Sequence, residues 1–148
     1  AKQINDGHCV IASLHWLLSA LLQNGKPKLA EKLAIDNLAW LKQKGMSFLP
    51  DIGVVYNQLM SLQRELNHLD KAWDSYRALQ NINHERTDPR NNINGQFITA
   101  IQLFATSNKI EEALELSIDL ESYIKSNFGE QHHVAGFNIS MVQAYEIP

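Results

Sequence analysis

The chain contains one cysteine, Cys9, among 148 residues, so it cannot close an intramolecular disulfide. This excludes the disulfide-stapled class of small secreted domains and favours a reducing environment. The chain also lacks an apolar run of about 18 residues, the length that a bilayer-spanning helix needs, and its first residues show no signal-peptide core. We therefore expect a cytoplasmic location and no membrane contact.

The chain has no large excess of charge of either sign. Thirteen Lys and Arg residues against sixteen Asp and Glu residues give a formal net charge of −3. These counts indicate no basic face for nucleic acid, so we expect no nucleic-acid partner. A hydrophobic content of 45% over this length predicts one well-buried domain.

Motifs typical of catalytic sites are absent as well. The sequence has no Gly-rich phosphate loop, no Gly-x-Ser-x-Gly and no His-Glu-x-x-His. It has six histidines, but His8 adjoins Cys9 and His132 adjoins His133, and adjacent side chains on a helix point in different directions. We therefore expect no enzymatic activity, no metal and no cofactor.

Three similar segments, residues 25–30, 67–72 and 108–113, are the most informative feature that is present. Their last residues, Ala30, Ala72 and Ala113, are separated by 42 and then 41 positions. Self-similarity at this period is typical of stacked helical repeats. Such alanines allow two helices to approach closely, so we expect all three to be packing points.

Apolar periodicity predicts seven helices and no strand, which makes the fold all-α. The first helix covers much of its surface with apolar residues from Cys9 onward and ends at Asn24–Gly25, a pattern that predicts contacts on more than one side. Polar residues 83–92 predict a loop. The remaining helices are predicted at about residues 27–44, 51–66, 69–83, 93–107, 109–127 and 133–145.

Within each predicted pair, residues of fixed size recur at fixed spacing. The first repeat has Leu14, Leu17, Leu18, Leu21, Ala30 and Ala34 at these positions. The second has Tyr56, Leu59, Met60, Gln63, Ala72 and Tyr76, and the third has Phe97, Ala100, Ile101, Phe104, Ala113 and Ser117. This spacing resembles the tetratricopeptide-repeat (TPR) family. The longer period, and residues 128–135 (Phe-Gly-Glu-Gln-His-His-Val-Ala), resemble its kinesin-light-chain-like branch.

The resemblance implies a right-handed α-solenoid of antiparallel helix pairs in a single domain, 1–148. Three TPR-like pairs, at about residues 8–49, 50–91 and 92–131, are followed by one unpaired helix in a partial repeat at 132–148. Trp40 and Trp73, on second helices, are expected in the core. Because the sequence lacks an initiating Met and ends within a helical pattern, we expect a piece of a larger protein.

In such a solenoid the first helix of each pair lines a concave face that holds another chain. The repeat register places on that face His15, Trp16, Ser19, Asn57, Gln58, Ser61, Arg64, Thr99 and Gln102. Amide side chains both donate and accept hydrogen bonds, which suits the backbone of an extended peptide, and an exposed Trp16 suits an anchor. The sequence therefore predicts a scaffold that binds a protein or peptide.

Three alternatives stay open. The solenoid could be the sensor segment of a larger regulatory protein, binding a small signal or peptide and controlling an attached output domain. RNA binding in the manner of pentatricopeptide repeats is a weaker alternative, because those repeats have a basic surface and a shorter period. The concave row could also be merely solvated. In addition, the apolar flank of the last helix, with Val134, Phe137, Met141 and Tyr145, predicts a homodimer of this chain.

Overall fold

The computed structural model describes residues 2–47, 49, 51–82 and 97–128, with side chains from residue 6 onward. The chain divides into two compact units, Ala1–Thr87 and Asp88–Pro148, and each is described by itself below. The predicted loop at 83–92, the predicted helix at 133–145 and residues 129–135 of the segment that resembles the kinesin-light-chain-like branch lie outside the described residues. A single domain spanning the whole chain stays a prediction.

Six helices account for the regular structure of the described residues, which contain no strand, so the all-α prediction is confirmed. Unit 1 holds four of them: α1 (Lys2–Gln23), α2 (Pro27–Gln43), α3 (Ile52–Glu65) and α4 (Leu69–Gln80). Unit 2 holds α5 (Thr99–Thr106) and α6 (Ile110–Phe128). None of the helices described here has the length and apolarity to cross a bilayer.

The turns within the three pairs have one geometry. In the first, the Gly25 N–H donates to the Leu22 carbonyl at 3.0 Å, and the Lys26 N–H donates to the Leu21 carbonyl at 2.8 Å. This is the Schellman motif, which closes a helix with one residue in the left-handed region. The second and third turns repeat both bonds, and the left-handed residues are Gly25 (φ 69°), Asn67 (φ 58°) and Asn108 (φ 61°).

Consecutive helices pack in pairs, α1 with α2, α3 with α4, and α5 with α6. Ala30, Ala72 and Ala113, each five residues after the left-handed residue of its turn, are completely buried. They lie on the second helix of each pair, where a methyl group is the largest side chain that close approach admits. The prediction that the three alanines are packing points is therefore confirmed.

Within unit 1, α2 and α1 also contact α3, which joins the first two pairs. The core of this unit draws on all of these helices, with Leu14, Leu18, Leu38, Leu41, Val55 and Leu62 among its buried members. Unit 2 has its own core, formed by Phe97, Ile101, Ala105, Ala113, Leu120 and Ile124. Trp40 packs half-buried against the core of unit 1, and Trp73 is half-buried on α4, so both indoles are less enclosed than predicted.

The first helix begins at Lys2, earlier than the apolar pattern from Cys9 indicates. Gly7 lies in this extension, and side chains that follow α2 lie directly over it. A Cβ on Gly7 would lie 2.7 Å from Met46 Sδ and 2.8 Å from Leu49 Cδ1. The glycine therefore permits close packing inside a helix and does not end one.

The prediction that α1 is contacted on more than one side agrees with its contacts to both α2 and α3. Among the described residues, these two helices bury the face of α1 that includes Ile11, Leu14 and Leu18, and the opposite face is exposed. Trp16 is 73% exposed and Leu17 is 44% exposed. The apolar pattern of a helix shows which faces are able to pack, whereas the number of neighbouring helices decides which faces do.

Candidate functional site

The first helices of the first two pairs, α1 and α3, lie in contact, and a side-chain amide links them. Gln58 Nε2 donates to the His15 carbonyl at 3.3 Å and to Ser19 Oγ at 3.4 Å. The Ser19 hydroxyl in turn donates to the His15 carbonyl at 3.1 Å. Three residues that the repeat register assigns to one face, His15, Ser19 and Gln58, are thus brought together.

These bonds also fix the orientation of the Gln58 amide. The His15 carbonyl accepts only, so the nitrogen of the amide must face it and the oxygen must face elsewhere. Gln58 Oε1 is buried and has no hydrogen-bond partner among the described residues. The side chain therefore bonds α1 to α3 through its nitrogen and leaves its oxygen buried and unpaired.

Three more buried polar atoms of the same residue set lack a partner in the described part of the chain: His15 Nδ1, Asn57 Oδ1 and Arg64 Nε. Leaving one such atom unsatisfied costs about 1–3 kcal/mol. Each of these side chains is half-buried as a whole, although the polar atom itself is buried. Asn57 Oδ1 and Gln58 Oε1 accept hydrogen bonds and Arg64 Nε donates one, which complements the N–H and C=O groups of a peptide backbone.

Trp16 lies beside this polar group and is mostly exposed. Its indole meets the His15 ring edge-on, with ring centroids 5.4 Å apart and an interplanar angle of 71°. Of the exposed large apolar side chains in the described residues, Trp16 has the largest exposed fraction. An exposed aromatic ring next to unsatisfied polar groups is a typical anchor for a binding partner.

The remaining predicted residues are spread over both units. Ser61 is half-buried on α3 in unit 1. Thr99 and Gln102 belong to α5 in unit 2, where Thr99 is buried and the Gln102 carbonyl accepts from Thr106 Oγ1 at 2.7 Å. We refer to the unit 1 residues His15, Trp16, Ser19, Asn57, Gln58, Ser61 and Arg64 as the polar face. One face extending from α3 to α5 stays a prediction.

Two polar contacts inside unit 1 were missed by the sequence analysis. Glu31, only 8% exposed on α2, has a carboxylate oxygen 3.0 Å from His68 Nδ1 in the turn between α3 and α4. Ser75 Oγ donates to Gln63 Oε1 at 2.6 Å in a buried contact between α4 and α3. The second contact explains why a glutamine is accepted at a repeat position that prefers apolar residues, because the serine satisfies its buried amide.

Two tyrosines have ionisation shifted by their surroundings. Burial raises the pKa of Tyr56, on α3, above its ordinary value of 10.0. Burial also raises the pKa of Tyr76, on α4, and a hydrogen bond from Gln80 opposes part of that rise. Both phenols stay neutral near pH 7 and act there as packing groups. Among the described residues, no group of three or more His, Cys, Asp or Glu side chains has the geometry of a metal site.

Comparison with known proteins leaves the family of the chain open. No protein-family model matches it, and no curated protein matches it significantly. The resemblance to TPR proteins therefore rests on the spacing of its residues and stays a prediction.

Proposed function

We propose that the chain is a TPR-like scaffold that binds an extended peptide segment of another protein, and that the polar face of unit 1 is where the peptide lies. The observation that carries this proposal is the group of four buried, unpartnered polar atoms on α1 and α3. Groups of this kind are rare in folded proteins unless water or a ligand completes them. A binding module, with no catalysis of its own, is the function that this arrangement favours.

An extended peptide suits the polar face better than a folded surface does. Its backbone presents alternating donors and acceptors, which answer the acceptors of Asn57 and Gln58 and the donor of Arg64. Trp16 supplies apolar contact area for one side chain of the peptide. In the proposed right-handed solenoid, stacking of further pairs would extend this face along the bound chain.

The test is selection of peptides from a random library displayed on phage against the purified 148-residue chain, followed by calorimetric titration of the selected peptides. We expect Trp16→Ala and Asn57→Ala each to weaken binding by about fivefold or more, which corresponds to about 1 kcal/mol. Gln43→Ala is the matched control, because Gln43 is exposed on α2 and lies outside the polar face.

Two results would contradict the proposal. Library selection that yields no saturable peptide would show that the face binds no extended chain. Peptides whose affinity is unchanged by Trp16→Ala and Asn57→Ala would place the binding surface elsewhere on the molecule. Trp16 is exposed and Asn57 is half-buried, so we expect both variants to fold. Circular dichroism of each variant checks that the helices are retained.

A further inference from the structure

The contact between α2 and α3 shows how one helical pair covers the next in this chain. Ile35 and Leu38 of α2 line the same groove as Leu59 of α3, which is only 4% exposed. Four residues before Ile35 on the same helix, Glu31 contacts His68, in the turn that follows α3. The covering helix thus contributes buried Leu38, the more exposed Ile35 at the edge of the groove and, one turn nearer its N-terminus, a carboxylate that meets a basic group.

The corresponding face of α1 has no helix over it in the described part of the chain. Its Leu17 has the repeat position of Leu59 but is 44% exposed, compared with 4%. Lys26, in the turn after α1, has the position of His68, is exposed and makes no ion pair with any described residue. The face therefore keeps both parts of the chemistry that α2 recognises on α3, an aliphatic position and a basic turn.

A groove of about 280 Å³ follows this face, and α2 provides its other wall. Its lining residues are Cys9, Val10, Ser13, Leu14, Leu17 and Asn37. Ser13 has the position that Val55 has on α3, where the valine is completely buried. A polar residue at this position is compatible with a surface that is in water part of the time, which favours a separate partner that binds reversibly over a permanently packed helix.

We propose that this face, defined by Val10, Leu14, Leu17 and Lys26, binds an amphipathic helix of a partner protein, with its aliphatic side chains against Leu17 and a carboxylate against Lys26. The face is distinct from the polar face, which takes an extended peptide. An apolar helix stripe laid into a groove between two helices is a recurrent mode of recognition, and the charged pair at one end sets its direction.

The α2 segment itself is the probe, because it already has this chemistry. A fluorescein-labelled peptide of residues 27–43, stapled into a helix on its exposed side, is titrated into the 148-residue chain and followed by fluorescence anisotropy. We expect saturable binding that Leu17→Asp weakens at least tenfold. Leu29→Asp is the matched control, because Leu29 is also 44% exposed but lies on α2 outside the groove, and it should change affinity less than twofold.

Charge reversal tests the polar end of the contact. Lys26→Glu should weaken binding of the peptide about two- to fivefold, the range of an exposed ion pair. A peptide carrying Glu31→Lys should show the same loss with the unchanged chain and regain affinity with the Lys26→Glu chain. Absence of this compensation would contradict the predicted direction of the helix.

Other outcomes overturn the proposal. No saturable binding would show that the face takes no helix of this kind. Binding unaffected by Leu17→Asp would show that the peptide replaces α2 in its own position. If sedimentation of the chain alone shows a dimer, and Leu17→Asp abolishes that dimer, the face belongs to an interface with a second copy of the chain. Because Leu17 is half-exposed, we expect Leu17→Asp to fold, and Leu17→Ser replaces it if circular dichroism shows otherwise.

Discussion

Ala30 is a residue at which small size itself is required. It is completely buried on α2, whereas Ala39 on the same helix is exposed. We therefore expect Ala30→Leu to lower the free energy of unfolding by about 1–3 kcal/mol, because a larger side chain must push α2 away from its neighbour. Ala39→Leu should stay within about 0.5 kcal/mol of the parent chain.

Urea denaturation, monitored by circular dichroism, measures the free energy of unfolding of both alanine variants. Ala30→Leu should lower the urea concentration at the midpoint of unfolding. The slope of the free energy of unfolding against urea concentration should stay unaltered, because only the stability of the native state changes. If Ala30→Leu and Ala39→Leu had equal midpoints, helix propensity and not packing would explain the repeated alanines.

The contact between Glu31 and His68 joins the first pair to the second through a nearly buried carboxylate. A double-mutant cycle with Glu31→Ala and His68→Ala should give a coupling free energy of about 1–2 kcal/mol, since removing either partner leaves the other without its hydrogen bond. The control cycle uses Lys32 and Asp36, which are exposed and 3.2 Å apart on one turn of α2.

The control pair should couple by only about 0.3–0.5 kcal/mol, the usual value for an exposed pair on a helix. Equal coupling in the two cycles would mean that burial of Glu31 adds nothing to the contact. The sequence predicted the packing role of Ala30 but not this pair. Glu31 and His68 are 37 residues apart, and their meeting depends on how α2 lies on α3.

At the scale of the helix, the ends of elements could be predicted wherever a turn residue marks them. The predicted helix end at Asn24–Gly25 and the gap between the helices predicted at 51–66 and 69–83 both coincide with turns. The beginning of α1 could not be predicted, because residues before Cys9 show no apolar periodicity and Gly7 resembles a helix breaker. Its helical role depends on Met46 and Leu49, which are distant in sequence.

The left-handed backbone conformation of Asn67 leads to a separate prediction at this scale. Asn67 ends α3 at φ 58°, a conformation that costs most non-glycine residues about 1–2 kcal/mol. Asn67→Ala should therefore destabilise the chain by about 1 kcal/mol, whereas Asn67→Gly should be neutral or slightly stabilising. Asn81 is the matched control, because it follows α4 with an ordinary φ of −78°.

Thermal unfolding of these turn variants, compared with the parent chain, provides the measurement. Asn81→Ala should shift the midpoint little, because alanine adopts its backbone conformation without strain. A loss in Asn81→Ala as large as that in Asn67→Ala would show that the asparagine side chain, and not the backbone angle, stabilises these helix ends.

For the whole molecule, the repeat period predicted the helical pairs, while the placement of binding residues could be predicted only in part. His15, Ser19 and Gln58 meet as the register indicates, because α1 and α3 are adjacent first helices. The exposure of Leu17 could not be predicted, since its spacing matches that of buried Leu59. A residue pattern repeats along the chain, but the first pair has no earlier pair in the described structure to cover it.

The division into two compact units predicts that residues 1–87 fold without the rest of the chain. In the described residues, the buried core of unit 1 lies between Ile11 and Leu62, Ile82 packs against it, and α4 packs on α3 with Ala72, Ser75 and Leu79 buried. In a stack of helical pairs, stability comes from each pair and its nearest neighbour, so two pairs with a joint core are able to form a cooperative unit.

A fragment of residues 1–87 should therefore show helical circular dichroism and a cooperative urea transition, with a smaller slope than the full chain because it exposes less surface on unfolding. A fragment of residues 1–66 is the control. It lacks α4, and its buried Gln63 loses the hydrogen bond from the Ser75 hydroxyl, so it should lose the cooperative transition. If residues 1–87 unfolded without a transition, contacts with residues 88–148 would be necessary for the first two pairs to fold, and the chain would behave as one cooperative repeat domain.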